Sequence, residues 1–194
     1  MKISWLKGKN LLLAVTVPLV VIADQVTKVL AVSYLRPLVA ELQPSDRFDS
    51  VIDGFFRLKY AENPGAAWGL LRNASPTFRI PFFIIVSLLA IGLIVWFFRR
   101  IEPHKKLLPL AVSLVLGGAL GNLVDRVRMG KVVDFVDWFI TIGGEEKHWP
   151  TFNVADAAIT VGVVLLILEM FIGYKKEPEE DGPAESGQPD EGKG

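Results

Sequence analysis

The sequence predicts an all-α polytopic membrane protein with four transmembrane helices and a small sheet on its outer face. Half of the chain is apolar, with 51% hydrophobic residues among 194. The apolar residues concentrate in four stretches, each close to the roughly 20 residues that a helix needs to cross the hydrocarbon core of a bilayer. The predicted spans are 11–32, 80–98, 107–126 and 154–174.

The first apolar stretch admits a second interpretation. Three lysines precede it, and residues 21–23 are small or apolar enough to pass for a cleavage site, which is the pattern of a removable signal peptide. The apolar character resumes after Lys28, however, and removing this segment would leave three spans with a different orientation.

Basic residues predict the orientation. Clusters precede the first span, fill the link between the second and third spans, and follow the fourth, so all lie on one side if four spans cross. These clusters are Lys2, Lys7 and Lys9; Arg99, Arg100, Lys105 and Lys106; and Lys175 and Lys176. The positive-inside rule places them, and both termini, in the cytoplasm. Two larger loops, 36–76 and 128–152, then lie outside.

The outer loops and the C-terminal segment have their own predictions. Residues 55–60 read as a strand, 63–65 as a turn and 66–71 as a second strand, and 39–48 are a weak candidate for an interfacial helix. The domain organisation is a membrane domain at 1–174 followed by a disordered tail at 175–194, because Glu177–Gly194 holds seven acids and no large apolar residue.

Composition excludes several kinds of chemistry. The chain has no cysteine and zero net formal charge, which excludes thiolate sites and gives no basic excess for binding nucleic acid. His104 and His148 do not stand in a metal-ligand spacing, and no G-x-S-x-G motif is present, although His148 is an outer histidine that a serine nucleophile would need. We therefore expect no metal and no cofactor.

Inserting a charged side chain at membrane depth costs about 2.5–3.5 kcal/mol of free energy. We therefore expect each polar residue inside a predicted span to have a partner or a function. Asp24 and Lys28 stand four apart, so they can pair on one helix face. We favour a structural ion pair over a direct chemical role, since the lysine neutralises the carboxylate.

The third span ends in a second polar face. Asn122, Asp125 and Arg126 are spaced i, i+3 and i+4, and the small residues at 117–119 and Gly121 permit close helix packing. An internal Asp–Arg pair capping the helix end is one interpretation. The other is that Arg126 grips a substrate carbonyl with its guanidinium fork.

Two further acids lie near the outer ends of the third and fourth spans. Asp134 has apolar neighbours, and Asp156 stands three residues after Asn153 at the start of span four, where helix capping alone would explain it. If Asp134 and Asp156 face each other, they can share one proton and hydrolyse an amide without a metal. Composition does not separate Asp134 from the nearby Asp137.

Five sequence blocks, in order, resemble the bacterial lipoprotein signal peptidases (signal peptidase II). They cover residues 11–173 and are D-Q-V-T-K at 24–28, N-P-G-A-A-W at 63–68, G-N-L-V-D-R at 121–126, V-D-F at 133–135 and F-N-V-A-D at 152–156. Each block alone is weak evidence for the family, but all five in this order on a four-span chain are specific to it. Trp68 stands where the family usually has phenylalanine, and the link from 140 to 150 looks long.

The resemblance implies an aspartic endopeptidase of the bacterial inner membrane with a β-cradle and an active site on the periplasmic side. It implies that the substrate is a diacylglyceryl-modified prolipoprotein, cut just before the lipidated cysteine, and that globomycin-type inhibitors occupy the same site. We expect a monomer surrounded by membrane lipids. The resemblance assigns catalysis to Asp134 and Asp156, substrate binding to Asn63, Gly65, Asn122, Arg126 and Asn153, and structural roles to Asp24, Lys28 and Asp125.

Two other classes of function compete with this prediction. A small transporter or membrane assembly subunit also buries acids and lysines, but near the bilayer midplane. A membrane-bound binding or chaperone module would use the outer loops as a receptor and would need no paired carboxylates.

Overall fold

A computed structural model describes residues 8–41, 48–65, 71, 73–103 and 105–174. Its four long helices are α1 (Lys9–Glu41), α2 (Pro76–Arg100), α3 (Leu107–Met129) and α4 (Val154–Tyr174). Each is long and apolar enough to cross a membrane. Large apolar side chains such as Leu19, Leu89 and Phe171 stay exposed on their outer surfaces, as expected for faces in contact with lipid. The predicted fold class is confirmed.

Helix α3 lies at the centre of the bundle and packs against α1, α2 and α4. Its glycines make this possible, because a Cβ at Gly117 would lie 2.8 Å from Val20 of α1 and a Cβ at Gly118 would lie 2.3 Å from the carbonyl oxygen of Ala155 in α4. Close packing at this run of small residues is confirmed. The glycines bring the outer half of α3 against both neighbouring helices at backbone distance.

A four-stranded antiparallel sheet caps one end of the bundle. Its strands are β1 (Asp49–Ile52), β2 (Phe56–Asn63), β3 (Val132–Ile142) and β4 (Glu145–His148), paired in that order. The predicted strand at 55–60 falls mostly within β2. The strand beside it comes from the second outer loop, since β2 pairs with β3, whereas the proposed strand at 66–71 lies outside the described residues except for Leu71, which is in a turn.

Most of the second outer loop is a β-hairpin, so the link from 140 to 150, which looks long in the sequence, consists largely of paired strand. Gly143 and Gly144 have φ of 63° and 84°, the backbone sign that a two-residue hairpin turn requires at both positions. The hairpin pairs Ile142 with Glu145 and Phe139 with His148. Beyond the hairpin, Phe152 pairs with Val136 of β3 and so brings the chain back to the sheet just before α4.

Several predictions fall on residues outside the described ranges. They concern Trp68, the acidic tail at 175–194, and residues 42–47 of the candidate interfacial helix. Residues 39–41 of that candidate helix continue α1, which ends at Glu41.

Candidate active site

Strand β3 carries Asp134 into the interior beneath the sheet. The pairing of β2 with β3 shifts by one residue between Leu58 and Ala61, and Ala61 stands opposite Asp134. A β-bulge of this kind bends its strand and re-aims nearby side chains. Asp134 is 3% exposed, and its carboxyl accepts hydrogen bonds from Nδ2 of Asn63 at 3.1 Å and Nδ2 of Asn153 at 2.6 Å.

Asp156 lies in the first turn of α4, where Asn153 caps the helix. Oδ1 of Asn153 accepts from the Asp156 N–H at 2.9 Å, and Oδ2 of Asp156 accepts from the Asn153 N–H at 3.4 Å. This reciprocal arrangement is a capping box. The other carboxylate oxygen of Asp156 accepts from Nδ2 of Asn122 at 2.7 Å. The Asp156 side chain therefore caps α4 with one carboxylate oxygen and faces Asn122 with the other.

Two asparagines connect the two acids. Nδ2 of Asn153 reaches Oδ1 of Asn122 at 3.2 Å as well as Asp134, and Asn122 donates to Asp156. Both acids line one cavity of about 890 Å³ together with Asn63, Asn122 and Arg126. Sequence reasoning placed Asn63 in a turn of the first outer loop and the other four near the outer ends of the spans, and the structure brings all five around one space.

Side chains of three helices form much of the cavity wall. Its walls include Val86 and Ala90 of α2 and Ile159 and Val161 of α4, and α3 contributes Ala119 between them. Apolar walls with a few convergent polar groups are typical of ligand sites. This wall composition suits a segment of apolar peptide or lipid.

The environment of Asp134 favours its protonated form. Burial, and next the negative charge of Asp156, raise the pKa of Asp134 to about 7, against the hydrogen bonds from Asn63 and Asn153 and the charge of Lys28. Two carboxyls that line one cavity disfavour each other's ionised forms. The Asp134 carboxyl is therefore partly protonated near neutral pH.

Arg126 joins the cavity to the turn that follows β2. Its guanidinium lies 3.5 Å from the Gly65 carbonyl oxygen and 3.4 Å from that of Asn122, and 5.5 Å from the Phe83 ring. Only Gly65 and Pro64 are described in the turn beyond Asn63, and the Gly65 N–H donates to Oδ1 of Asn63 at 3.1 Å. Asp125 does not act as the internal partner of Arg126, because it pairs with Lys28.

Asp24, Lys28 and Asp125 form a buried ion triad behind the cavity. Nζ of Lys28 lies 2.8 Å from Asp24 and 2.9 Å from Asp125, so the predicted pairing of Asp24 with Lys28 is confirmed. Gln25 was missed as a member of this cluster: its Nε2 donates to Asp125 at 3.0 Å and to the Gly121 carbonyl at 3.2 Å. The position of this glutamine between Asp24 and Lys28 within a predicted span could have indicated its role from the sequence, because amide side chains form hydrogen bonds between membrane helices.

Asp137 occupies the opposite face of β3 from Asp134, because side chains three apart in a strand point to opposite sides. Its carboxylate pairs with Arg57 at 2.8 Å and with Nδ1 of His148 at 3.0 Å. His148 also lies 3.2 Å from Glu146. Asp137 and His148 thus belong to a charged cluster that ties β2, β3 and β4 together, and this geometry separates Asp137 from the cavity acid Asp134.

The fold and the site together define a polytopic membrane protein in which Asp134 and Asp156 line one cavity near the ends of its spans, beneath a small sheet. Comparison with known proteins then gives the family. The family model described as "Signal peptidase (SPase) II" matches residues 16–172, and the chain belongs to the signal peptidase II family.

Named relatives and solved structures agree with this assignment. A protein of Syntrophotalea carbinolica named lipoprotein signal peptidase is 49% identical over 152 residues, covering 77% of this chain and 84% of the relative. One of the same name from Syntrophus aciditrophicus is 40% identical over 172 residues, covering 89% and 99%. A solved bacterial membrane enzyme is 33% identical with a TM-score of 0.67, covering 87% of this chain and 93% of that one.

Proposed function

We propose that the protein is an aspartic endopeptidase that removes the signal peptide from diacylglyceryl-modified prolipoproteins, cutting just before the lipidated cysteine. The observation that carries the proposal is that Asp134 and Asp156 line one cavity and are linked through two asparagines. The named relatives, which are lipoprotein signal peptidases, support the substrate class.

A carboxyl pair with one shared proton can perform both halves of amide hydrolysis. The ionised carboxylate takes a proton from water, and the water oxygen bonds to the scissile carbonyl carbon while the protonated carboxyl donates to the carbonyl oxygen. The tetrahedral intermediate then collapses, and one of its two hydroxyl groups returns its proton to the carboxyl that had donated it. The C–N bond breaks as the amide nitrogen receives a proton from the pair, which releases the new amine of the lipidated cysteine.

The polar groups around the pair have corresponding roles in the proposal. Asn63, Asn122 and Asn153 hold the two carboxyls. Arg126 presents several fixed donors at the cavity wall and binds a substrate carbonyl, with Gly65 beside it.

The surroundings of the site suit a substrate delivered by the membrane. Apolar walls from α2 and α4 receive the signal-peptide segment or the acyl chains, with membrane lipids as neighbours. The basic clusters support an orientation with both termini in the cytoplasm and the sheet on the periplasmic side of the inner membrane. The enzyme acts as a monomer, and globomycin-type inhibitors compete for the same cavity.

A transporter is the competing function, and the depth of the acids argues against it. Asp156 is in the first turn of α4, and Asp134 belongs to the capping sheet rather than to a span. Transporters place their coupling acids near the bilayer midplane.

The proposed function is tested by cleavage of a matched pair of substrates. Purified protein in lipid is given one prolipoprotein with the diacylglyceryl group on its cysteine and the same precursor without it, and products are identified by mass. We expect cleavage before the cysteine in the lipidated precursor alone. Equal cleavage of both precursors, or of neither, would contradict the proposal.

The pH dependence follows from the shared proton. Catalysis needs one protonated and one ionised carboxyl, and the raised pKa of Asp134, about 7, means that the proton is lost as the pH rises through neutrality. We therefore expect kcat/KM to fall on the alkaline side with an apparent pKa near 7. A kcat/KM that stays constant from pH 6 to about 9 would be inconsistent with a protonated partner in the pair.

A further inference from the structure

The ion triad of Asp24, Lys28 and Asp125 lies one layer behind the proposed pair. Asp24 and Lys28 come from α1, and Asp125 comes from α3. Their residues are 0%, 3% and 1% exposed. A buried ion pair is weak support for stability, because desolvation offsets much of its attraction. We therefore expect the triad to have a role beyond holding α1 against α3.

Each acid of the triad accepts a backbone N–H directly before one of the proposed catalytic aspartates. Oδ1 of Asp24 accepts from the N–H of Ala155 at 2.9 Å, and the next residue is Asp156. Oδ2 of Asp125 accepts from the N–H of Val133 at 3.2 Å, and the next residue is Asp134. One contact fixes the start of α4 and the other fixes the start of β3.

The lysine of the triad makes a third contact toward the pair. Nζ of Lys28 donates to Oδ1 of Asn122 at 3.0 Å. Because an ammonium group has donors and no acceptor, it fixes the Asn122 amide with its oxygen toward Lys28. Nδ2 of Asn122 must then face the other way, where it donates to Asp156 at 2.7 Å.

We infer that Asp24, Lys28 and Asp125 are positioning residues that set the separation and orientation of the two catalytic carboxyls. This inference rests on the proposed function. Lys28 holds the two acids 2.8 and 2.9 Å from one ammonium group, and each acid holds the backbone next to one catalytic residue. A single buried charge thereby joins the helix end that carries Asp156 to the strand that carries Asp134.

The start of α4 shows why an ionised acceptor such as Asp24 is suited to this position. The Ala155 N–H is one of the first donors of α4, which have no partner within the helix. A carboxylate accepts such a donor with a shorter and stronger bond than a neutral group does. Neutral groups in these places would hold α4 and β3 less rigidly, and displacements of about 1 Å at a reacting group can lower a rate by about 10²-fold.

The decisive comparison uses two substitutions of one residue. Asp125→Asn keeps an oxygen that can accept from Val133, whereas Asp125→Leu has a similar volume and no acceptor. Steady-state cleavage is measured well below the unfolding temperature of each variant. We expect Asp125→Leu to lose about 10²-fold in kcat with KM changed by less than about threefold, and Asp125→Asn to recover kcat to within about tenfold of wild type.

Lys105→Met is the matched control, because it removes an ion pair between the link that precedes α3 and the far end of α4 from Asp156, Lys105 to Glu169 at 3.4 Å. Its kcat should equal that of wild type. If folded Asp125→Leu keeps a kcat within about threefold of wild type, the positioning role is wrong. Failure of the wild type to cleave would instead overturn the proposed function, so the two failures are distinguishable.

Should Asp125→Leu not fold, the charge-balanced double variant Lys28→Met/Asp125→Asn decides the question. It removes one positive and one negative charge and keeps an acceptor for Val133, but it leaves the Asn122 amide without Lys28. We expect kcat to fall by about tenfold or more, with little change in KM. A wild-type kcat in this variant would overturn the inference.

Discussion

Asp134→Asn and Asp156→Asn are each expected to lower kcat for prolipoprotein cleavage by about 10³-fold or more. An amide cannot take a proton from water, and it cannot return one to the leaving amine. Both asparagines can keep a hydrogen bond within the network of Asn63, Asn122 and Asn153, so the fold should be retained. Since each change removes an ionisable group from the interior of the site, we expect the Tm in detergent to stay constant or rise.

Asp137→Asn is the control for these variants, because Asp137 lies in the same strand as Asp134 and on its opposite face. It is 1% exposed and pairs with Arg57, so its replacement should lower the Tm while kcat stays within about threefold of wild type. The reverse pattern, with activity lost in Asp137→Asn and kept in Asp134→Asn, would show that the acids were assigned the wrong way round.

The second large effect is expected at the contact of α3 with α4. A Cβ at Gly118 would lie 2.3 Å from the Ala155 carbonyl oxygen and 2.7 Å from Cγ1 of Ile159. Backbone cannot yield as a flexible side chain does, so Gly118→Ala should destabilise the protein by about 1–3 kcal/mol. It should also lower kcat, because the displaced residue precedes Asp156.

Gly92→Ala provides the control for this substitution. Gly92 also lies within a membrane-spanning helix, but a Cβ there meets nothing within 4 Å. Alanine favours a helix over glycine by about 0.5–1 kcal/mol, so this variant should unfold at the same or a higher temperature. Equal unfolding temperatures for Gly118→Ala and wild type would contradict the close packing of α3 on α4.

The helical part of the fold is predictable because it depends on local properties of the sequence. A run of about 20 apolar residues must satisfy its own backbone hydrogen bonds in lipid, and a helix is the structure that does so. The pairing of Asp24 with Lys28 follows from helical spacing in the same way. Most of the sheet was not predicted, since β2 pairs with β3, and about 70 residues separate Asn63 from its partner Val132.

The site was predictable in its residues and not in its geometry. The cost of burying a charge singles out Asp24, Lys28, Asp125 and Asp156 from sequence. The composition around Asp134 and Asp137 does not separate them, and the resemblance favours Asp134; the structure adds that both belong to β3, where three residues of separation reverse the face. The β-branched run from Val132 and the glycine pair at 143–144 were the signals for that strand and its turn.

Asp156 shows why a capping interpretation and a catalytic one were hard to separate. One carboxylate oxygen closes the capping box with Asn153, and the other faces Asn122 beside the cavity. The sequence spacing of Asn153 and Asp156 predicts the first contact. The second depends on how α3 packs against α4, which sequence spacing does not contain.

A single-turnover experiment tests the role of the carboxyl pair most directly. Excess enzyme in lipid is mixed with a diacylglyceryl-modified prolipoprotein, and the product masses are followed for the wild type and for Asp134→Asn/Asp156→Asn. We predict that the wild type yields a mature protein beginning with the lipidated cysteine and that the double variant, folded by its Tm, leaves the precursor intact. Appearance of the same product from the folded double variant would show that hydrolysis does not depend on these two acids.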